Sequence, residues 1–444
     1  MTIQKYGHPG SIKVWSQKTA QSRLQALFAR LETKPPELEY VFTELFISEA
    51  HSQLRKLKHQ SSTPLSGALV SVKDLFDISG YVTRAGSTVF SDQAVASTDA
   101  QAIALLKQAG AIVVGKTNMT QLAYSGLGLN PHFGTPDNPV NPGHIPGGST
   151  SGGAVSVAAG AVDIAIGTDT GGSVRIPAAF TGLTGFKPTQ VSVPRSGCRD
   201  LSTSLDSIGP IARSVNQCEW AWRCMSGISD VHSVDEEPEI IIPTNFGMTG
   251  LDNDIQAGFS VLIKKLRDQG WNVHERKLQM LELFKQLPAW HFSCVESRCI
   301  YADQYAKQSE KIDPRVRVRM DRADEVSAID YCTTLRMRES LIQASHSEIE
   351  SSFILLPTVA ILPPAFEVLD DDDEYNRLNL LALRNTSMAN VIDGCSISIP
   401  FSDNGNVMGA MLTTTGGCDL QLLEVAHRLE AGIIDMGLRA TDSG

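Results

Sequence analysis

The chain has no C-x-x-C pair, no H-E-x-x-H pattern and no cluster of histidines. Its eight cysteines and ten histidines are scattered. That spacing excludes a disulfide framework and offers no ligand set for a structural or catalytic zinc. Also missing is a run of about 20 apolar residues, the length a membrane span needs. The most apolar stretches, 154–166 and 353–362, are interrupted by Asp163 and Pro357. The first fifteen residues hold no apolar leader core. No block of Lys or Arg occurs, and 38 basic against 49 acidic residues leave a net charge of −11, which repels polyphosphate. These absences lead to the expectation of a soluble, cytoplasmic, metal-independent protein with no cofactor, no nucleic-acid partner and no membrane partner.

What is present is a globular balance. Of 444 residues, 42% are hydrophobic and 20% charged, enough to build a sizeable core. Leu24, Leu27, Phe28 and Leu31, then Val41, Leu45, Ala50 and Leu54, recur at helical spacing and predict two N-terminal helices. From residue 66 the texture alternates. Strands are expected at 67–72, 111–114 and 163–167, with helices at 99–110 and 154–161. Residues 250–350 are charged and poor in glycine, and predict helices at 252–269, 281–305 (broken near Pro288) and 328–351. Strands at 353–356, 395–399 and 408–412 and a final helix at 420–436 complete the pattern. The acidic run 370–374 reads as a solvated turn. Alternating β and α at these spacings predicts an α/β core.

One motif is rejected on its chemistry. Gly110-Ala-Ile-Val-Val-Gly-Lys-Thr117 matches the phosphate-loop pattern. Such a loop must curl its backbone amides around phosphate oxygens, and β-branched residues prefer the extended state. Gly110 reads as a helix C-cap and Lys116 as a residue just past a strand end.

Two small-residue loops carry the chemical interest: Pro146-Gly-Gly-Ser-Thr-Ser-Gly-Gly153 and Gly167-Thr-Asp-Thr-Gly-Gly-Ser-Val-Arg-Ile-Pro177. Glycine allows close approach of backbone to a ligand, and several N–H groups can converge on one point. A serine after Gly171-Gly172 can then act as a nucleophile beside an oxyanion site. It needs a base, and no histidine lies in either loop. Lys73, after an apolar strand, is the candidate, because burial lowers a lysine pKa and a neutral amine takes a proton. The residues alone leave three readings open: a serine/lysine hydrolase, a structural Lys73 paired with Asp74, or a glycine-rich ligand loop.

These loops, with Val72-Lys-Asp74, Gly115-Lys-Thr-Asn-Met119, Gly185-Phe-Lys-Pro-Thr189 and Ser204-Leu-Asp-Ser-Ile-Gly-Pro210, stand in an order that resembles the amidase signature family. Leu356-Pro-Thr358, Ile399-Pro400 and Asp419-Leu-Gln-Leu-Leu423 look like its C-terminal marks. The likeness covers most of the chain, strongest from 66 to 213 and weakest from 250 to 350. It implies a large mixed β-sheet sandwiched by helices, in a single amidase domain, 1–444. Within it, 1–60 would be N-terminal helices, 61–220 the signature core, 221–350 a helical pocket-forming layer and 351–444 the C-terminal part of the core. It implies a Ser–Ser–Lys triad: Ser173 as nucleophile, a bridging serine 24 residues earlier at Ser149, and Lys73 as general base. Ser151 competes for the bridging place, and ungapped alignment through residues 158–160 selects Ser149. The peptide before it, Gly148–Ser149, would be cis. Thr170, Gly171, Gly172 and Ser173 would supply oxyanion N–H groups. Asp169 and Arg175, flanking the nucleophile, read as an ion pair fixing the loop. Ala123, Tyr124 and Gly126 would line the acyl side.

The likeness thins at Met411, where the family often has Gln, and in the run Asn390-Val-Ile-Asp-Gly-Cys395. Arg336, Arg338 and Arg384 are considered as partners of a substrate carboxylate, with a structural role the stronger reading. The resemblance implies hydrolysis of the C–N bond of a small carboxamide through an acyl-enzyme. Its alternatives are the glutaminase subunit of a tRNA-dependent amidotransferase and a catalytically silent binding protein on the same scaffold. A small-molecule amide is the expected partner; a homodimer is allowed by the family habit and by nothing in these residues.

Overall fold

The computed structural model describes residues 15–57, 63–229 and 237–438. The opening stretch read above for a leader lies almost wholly outside them. Eleven strands form one sheet: β1 (Phe42–Leu45), β2 (Leu69–Lys73), β3 (Ile112–Thr117), β4 (Ile164–Asp169), β5 (Thr184–Lys187), β6 (Ser207–Ala212), β7 (Ile240–Pro243), β8 (Val273–Arg276), β9 (Phe353–Pro357), β10 (Cys395–Asp403) and β11 (Asn406–Thr414). Their order is β1-β3-β2-β4-β6-β5-β10-β11-β9-β7-β8. β3, β2 and β4 run parallel, as do β8, β7 and β9, and the remaining pairs are antiparallel. This is the large mixed α/β sheet that the sequence implies.

Period-two alternation sorts the strand residues onto two faces. Val70, Val72, Val113, Ile164, Ile166, Ile397 and Leu412 belong to one continuous core, packed under helices that include Val215–Ser226 and Asp419–Asp435. Leu69, Ile112, Val114 and Ala165 face the other way, toward helices Gln17–Glu32 and Ser151–Ala158. Farther along that second face, Ile241, Ile354 and Met411 meet a separate cluster that includes Met280, Phe292 and Leu341. Beyond Leu69 on this alternation come Ser71, then Lys73. Helix Ser151–Ala158 covers them, and its Ser156 hydroxyl lies 2.9 Å from that of Ser71.

Several elements differ from expectation. The apolar spacing from Val41 to Leu54 predicts helix, yet the structure splits it into β1 and a helix over Ile47–Leu57. β1 pairs antiparallel with β3, so tertiary pairing overrides the helical spacing. The stretch expected as a helical pocket-forming layer, 221–350, also contributes β7 and β8 to the sheet edge. The break near Pro288 separates helices Gln279–Gln286 and Trp290–Ile300, and a second break follows before Ala302–Gln308. Of the acidic run 370–374, residues 370–373 are exposed and Glu374 is half-buried, but the run opens helix Asp372–Arg384, where carboxylates favour the positive end of the helix dipole. Lys116 lies inside β3 and is buried, not past its end.

Candidate active site

The parallel neighbours β2 and β4 have their carboxyl ends, Lys73 and Asp169, at the same side of the sheet, β4 running two residues farther. Ligand crevices in α/β sheets form at such carboxyl ends. Lys73 is fully buried, and its Nζ lies 2.8 Å from the Ser149 hydroxyl and 2.9 Å from that of Thr168. Among the described residues no carboxylate lies within ion-pair distance of it. Burial pulls the ammonium down to about 7, against the opposing pull of Cys198, Asp206 and Asp169. The alternative partner, Asp74, pairs instead with buried Lys116 at 3.1 Å. Ser151 turns away, its hydroxyl 3.5 Å from the Asn118 carbonyl. The Gly148–Ser149 peptide is cis.

Beyond Asp169 the chain turns through residues 170–174 into the short helix Arg175–Phe180. Asp169 organises this turn. Its carboxylate accepts from the N–H groups of Gly172 (2.8 Å), Val174 (3.1 Å) and Arg175, and from the Arg175 guanidinium at 2.8 Å. Burial, the largest single influence, would raise this carboxyl, but Arg175, Lys187 and Asn390 together outweigh it and hold the group down at about 2. The two residues thus form the loop-fixing ion pair expected of them. Arg175 also donates to the Thr386 carbonyl and to Asn390, and lies 3.4 Å from the Met411 sulfur. The two positions where the family likeness thins therefore support this turn.

Ser173, 3% exposed, lines a cavity of about 270 Å3 together with Thr170 and Gly171. The Gly172 N–H is already engaged by Asp169 and Gly172 is not in the cavity wall. The N–H groups of Gly171 and Ser173 meet no acceptor among the described residues. Thr170 donates its hydroxyl to Asp206 at 2.5 Å, and burial pushes that carboxyl up to about 7. The structure joins Lys73 to Ser149. It joins the Ser149 and Ser173 segments through the Thr150 N–H, which donates to the Ser173 carbonyl at 3.3 Å. No hydrogen bond between the two serine hydroxyls occurs among the described residues.

Ala123 and Tyr124 line the cavity; Gly126 does not. Its N–H donates to Asn379 and its carbonyl accepts from Gly148, so it braces the loop before Ser149. Arg336 is exposed on its helix, Arg338 donates to the carbonyls of Asn390 and Val391, and Arg384 donates to those of Gly247 and Thr249. None of these three lines the cavity. Two arginines that the sequence does not single out, Arg319 and Arg322, do, as do Ser125, Trp290 and Asn379. Only packing could pick them out, because residues 310–340 carry charges on every helical turn. Among the described residues no cluster of side chains has metal-site geometry, and no helix is long and apolar enough to cross a membrane.

Comparison with known proteins agrees with this geometry. A model described as Amidase matches residues 23–423. A 2-amino-5-chloromuconic acid deaminase of Comamonas testosteroni is 32% identical over 84% of this chain and 83% of its own length. A glutamyl-tRNA(Gln) amidotransferase subunit of Acinetobacter baumannii is 35% identical over 58% of the chain and 56% of the relative. A crystal structure of an amidase superposes with a TM-score of 0.84 at 26% identity, over 94% of this chain and 98% of that one. The chain belongs to the amidase family, hydrolases of the amide C–N bond.

Proposed function

We propose that this enzyme hydrolyses a small carboxamide through a Ser173 acyl-enzyme, with Ser149 as proton relay and Lys73 as general base. The observation that carries the reading is the 2.8 Å contact between a buried, unpaired Lys73 and Ser149, directly behind the turn that presents Ser173 to the cavity. Neutral Lys73 takes the Ser149 proton as Ser149 takes that of Ser173, and Ser173 Oγ bonds to the amide carbon. The relay requires the two serine hydroxyls to close on each other once substrate is bound, as catalytic hydrogen bonds often do. The N–H groups of Gly171 and Ser173, beside Thr170, stabilise the oxyanion. Its collapse breaks the C–N bond, and the relay returns the proton to the departing amine or ammonia. Water then attacks the ester, gives its proton to the relay and leaves the acid and free Ser173.

The enzyme acts by itself on a small-molecule amide, without cofactor, in the cytoplasm. The test is ammonia or amine release by the purified chain across primary amides, anilides and ureido acids. Ser173→Ala is expected to abolish turnover and the acyl-enzyme mass adduct while keeping the circular dichroism of the parent. Near-parental turnover in that variant would remove Ser173 from the mechanism. Release only in the presence of a second protein component would favour the amidotransferase reading instead.

A further inference from the structure

The cavity in front of Ser173 has an uneven charge. Its lining includes two guanidinium groups, Arg319 and Arg322, and no Asp or Glu; much of the rest is apolar, with Leu201, Leu205, Trp290, Leu383 and Val391. A guanidinium facing a partly enclosed apolar cavity without a counter-charge is costly unless something anionic arrives. Arg319 stands near the end of helix Pro314–Asp321. One terminal nitrogen, Nη1, donates to the Tyr124 carbonyl, while Nη2 is buried and has no hydrogen-bond partner among the described residues. Arg319 has no carboxylate within ion-pair distance there. One turn on, Arg322 lies over the Trp290 ring, 3.6 Å from its centroid. Its acidic neighbour, Glu325, is 3.7 Å away and mostly exposed, a weak and screened contact.

We propose that Arg319 and Arg322 recognise a carboxylate on the non-reacting part of the substrate, so that the preferred amide is the monoamide of a short dicarboxylic acid. The inference rests on the reading of this cavity as the amide site. A carboxylate accepts two parallel N–H bonds from one guanidinium, and a small swing of the Arg319 side chain brings the enclosed, unpartnered Nη2 to it. The second guanidinium, held flat by Trp290, adds charge without needing to move. The apolar walls strengthen the Arg319 interaction by excluding water, while Arg322, its side chain 44% exposed, adds a screened attraction. A purely structural alternative exists for Arg319: Leu122 and Ala123 both hold left-handed φ values, 52° and 59°, and the bond to Tyr124 clamps the end of that segment. The two roles differ in what their loss does.

The test uses the full chain and three acid amides, malonamate, succinamate and glutaramate, each against the neutral amide of equal chain length. Parent enzyme is expected to favour at least one acid amide, and R322Q and R319Q are each expected to lower its kcat/KM about 10- to 100-fold, mainly through KM. In R322Q the neutral amides should lose clearly less kcat/KM than the acid amides of equal length. Calorimetric titration of the same six compounds into the Ser173→Ala variant gives a readout independent of turnover, with tighter binding of the acid member lost in Ser173→Ala/Arg322→Gln. If no acid amide binds more tightly than its neutral partner, or if acidic and neutral amides weaken equally in both arginine variants, the carboxylate assignment is overturned and a clamp remains. If acid amides bind selectively but nothing is hydrolysed, the serine mechanism falls and the arginine assignment stands.

Discussion

Lys73 and Asp206 both come to rest near neutrality, for mirrored reasons. Burial disfavours the charged form of each, drawing the ammonium down to about 7 and the carboxyl up to about 7. A rate that depends on neutral Lys73 rises with pH through about 7 and then levels, since protonated lysine cannot take the Ser149 proton. A rate that depends on ionised Asp206 has the same sign and the same midpoint, so the profile alone cannot assign it. Substitution can. Asp206→Asn keeps a hydrogen-bond partner for Thr170 and is expected to retain the acidic limb of kcat/KM. Lys73→Ala is expected to lose about 100- to 10,000-fold in rate, the span typical of a general base, and the limb with it. A limb unchanged in Lys73→Ala would move the base elsewhere.

At the scale of elements, the site depends on how closely helix Ser151–Ala158 approaches the strands. A Cβ built on Gly152 falls 2.4 Å from the Val41 carbonyl oxygen and 2.8 Å from the Asn118 nitrogen. Both are backbone atoms that cannot swing aside. Gly152→Ala is therefore expected to cost about 1–3 kcal/mol, the usual penalty of overpacking, seen as a lower urea midpoint, and to displace Ser149 enough to depress turnover. Wild-type stability in that variant would refute the close packing. The glycine-rich loop reads in the sequence as room for a ligand; at Gly152 the room is taken by backbone.

Similar physics sets what the sequence could disclose about elements. Helices Asn253–Asp268 and Ala328–Ile349 are long and lie close to their expected bounds. β1, β7 and β8 have four residues each, too few to establish a period, and they become strands only by pairing with partners far along the chain. Lys73 and Asp74 look like a pair in the sequence because they are adjacent. Successive residues of an extended chain point to opposite faces, so Asp74 meets Lys116 while Lys73 reaches Ser149. Which arginines face the cavity was illegible, since exposed and cavity-lining arginines alternate on the helices of 314–349 and only tertiary packing separates them. That Ser149 and not Ser151 stands beside Lys73 was legible through the family likeness and not through the loop's own residues.

On the scale of the whole molecule, the buried Asp169–Arg175 pair is where the first half of the chain is tied to the last. Arg175 reaches Asp169 in β4, the Thr386 carbonyl and Asn390 beside the cavity, and Ser396 in β10. Both side chains are fully buried. Removing one member strands the other as an uncompensated charge, so Arg175→Met is expected to lower unfolding free energy by about 3–5 kcal/mol. The double variant Asp169→Asn/Arg175→Met should lose less than Arg175→Met alone, because the stranded charge is gone. The sign with pH follows from Asp169, whose value in the fold, about 2, lies below its ordinary 3.8. Its contribution is fully present above the ordinary value and is lost as pH falls through about 2. Urea unfolding of the parent and both variants at neutral pH and near pH 3 measures this. If Arg175→Met loses less than about 1 kcal/mol, well under the cost of a stranded buried charge, the pair would position the Ser173 turn without holding the two halves together.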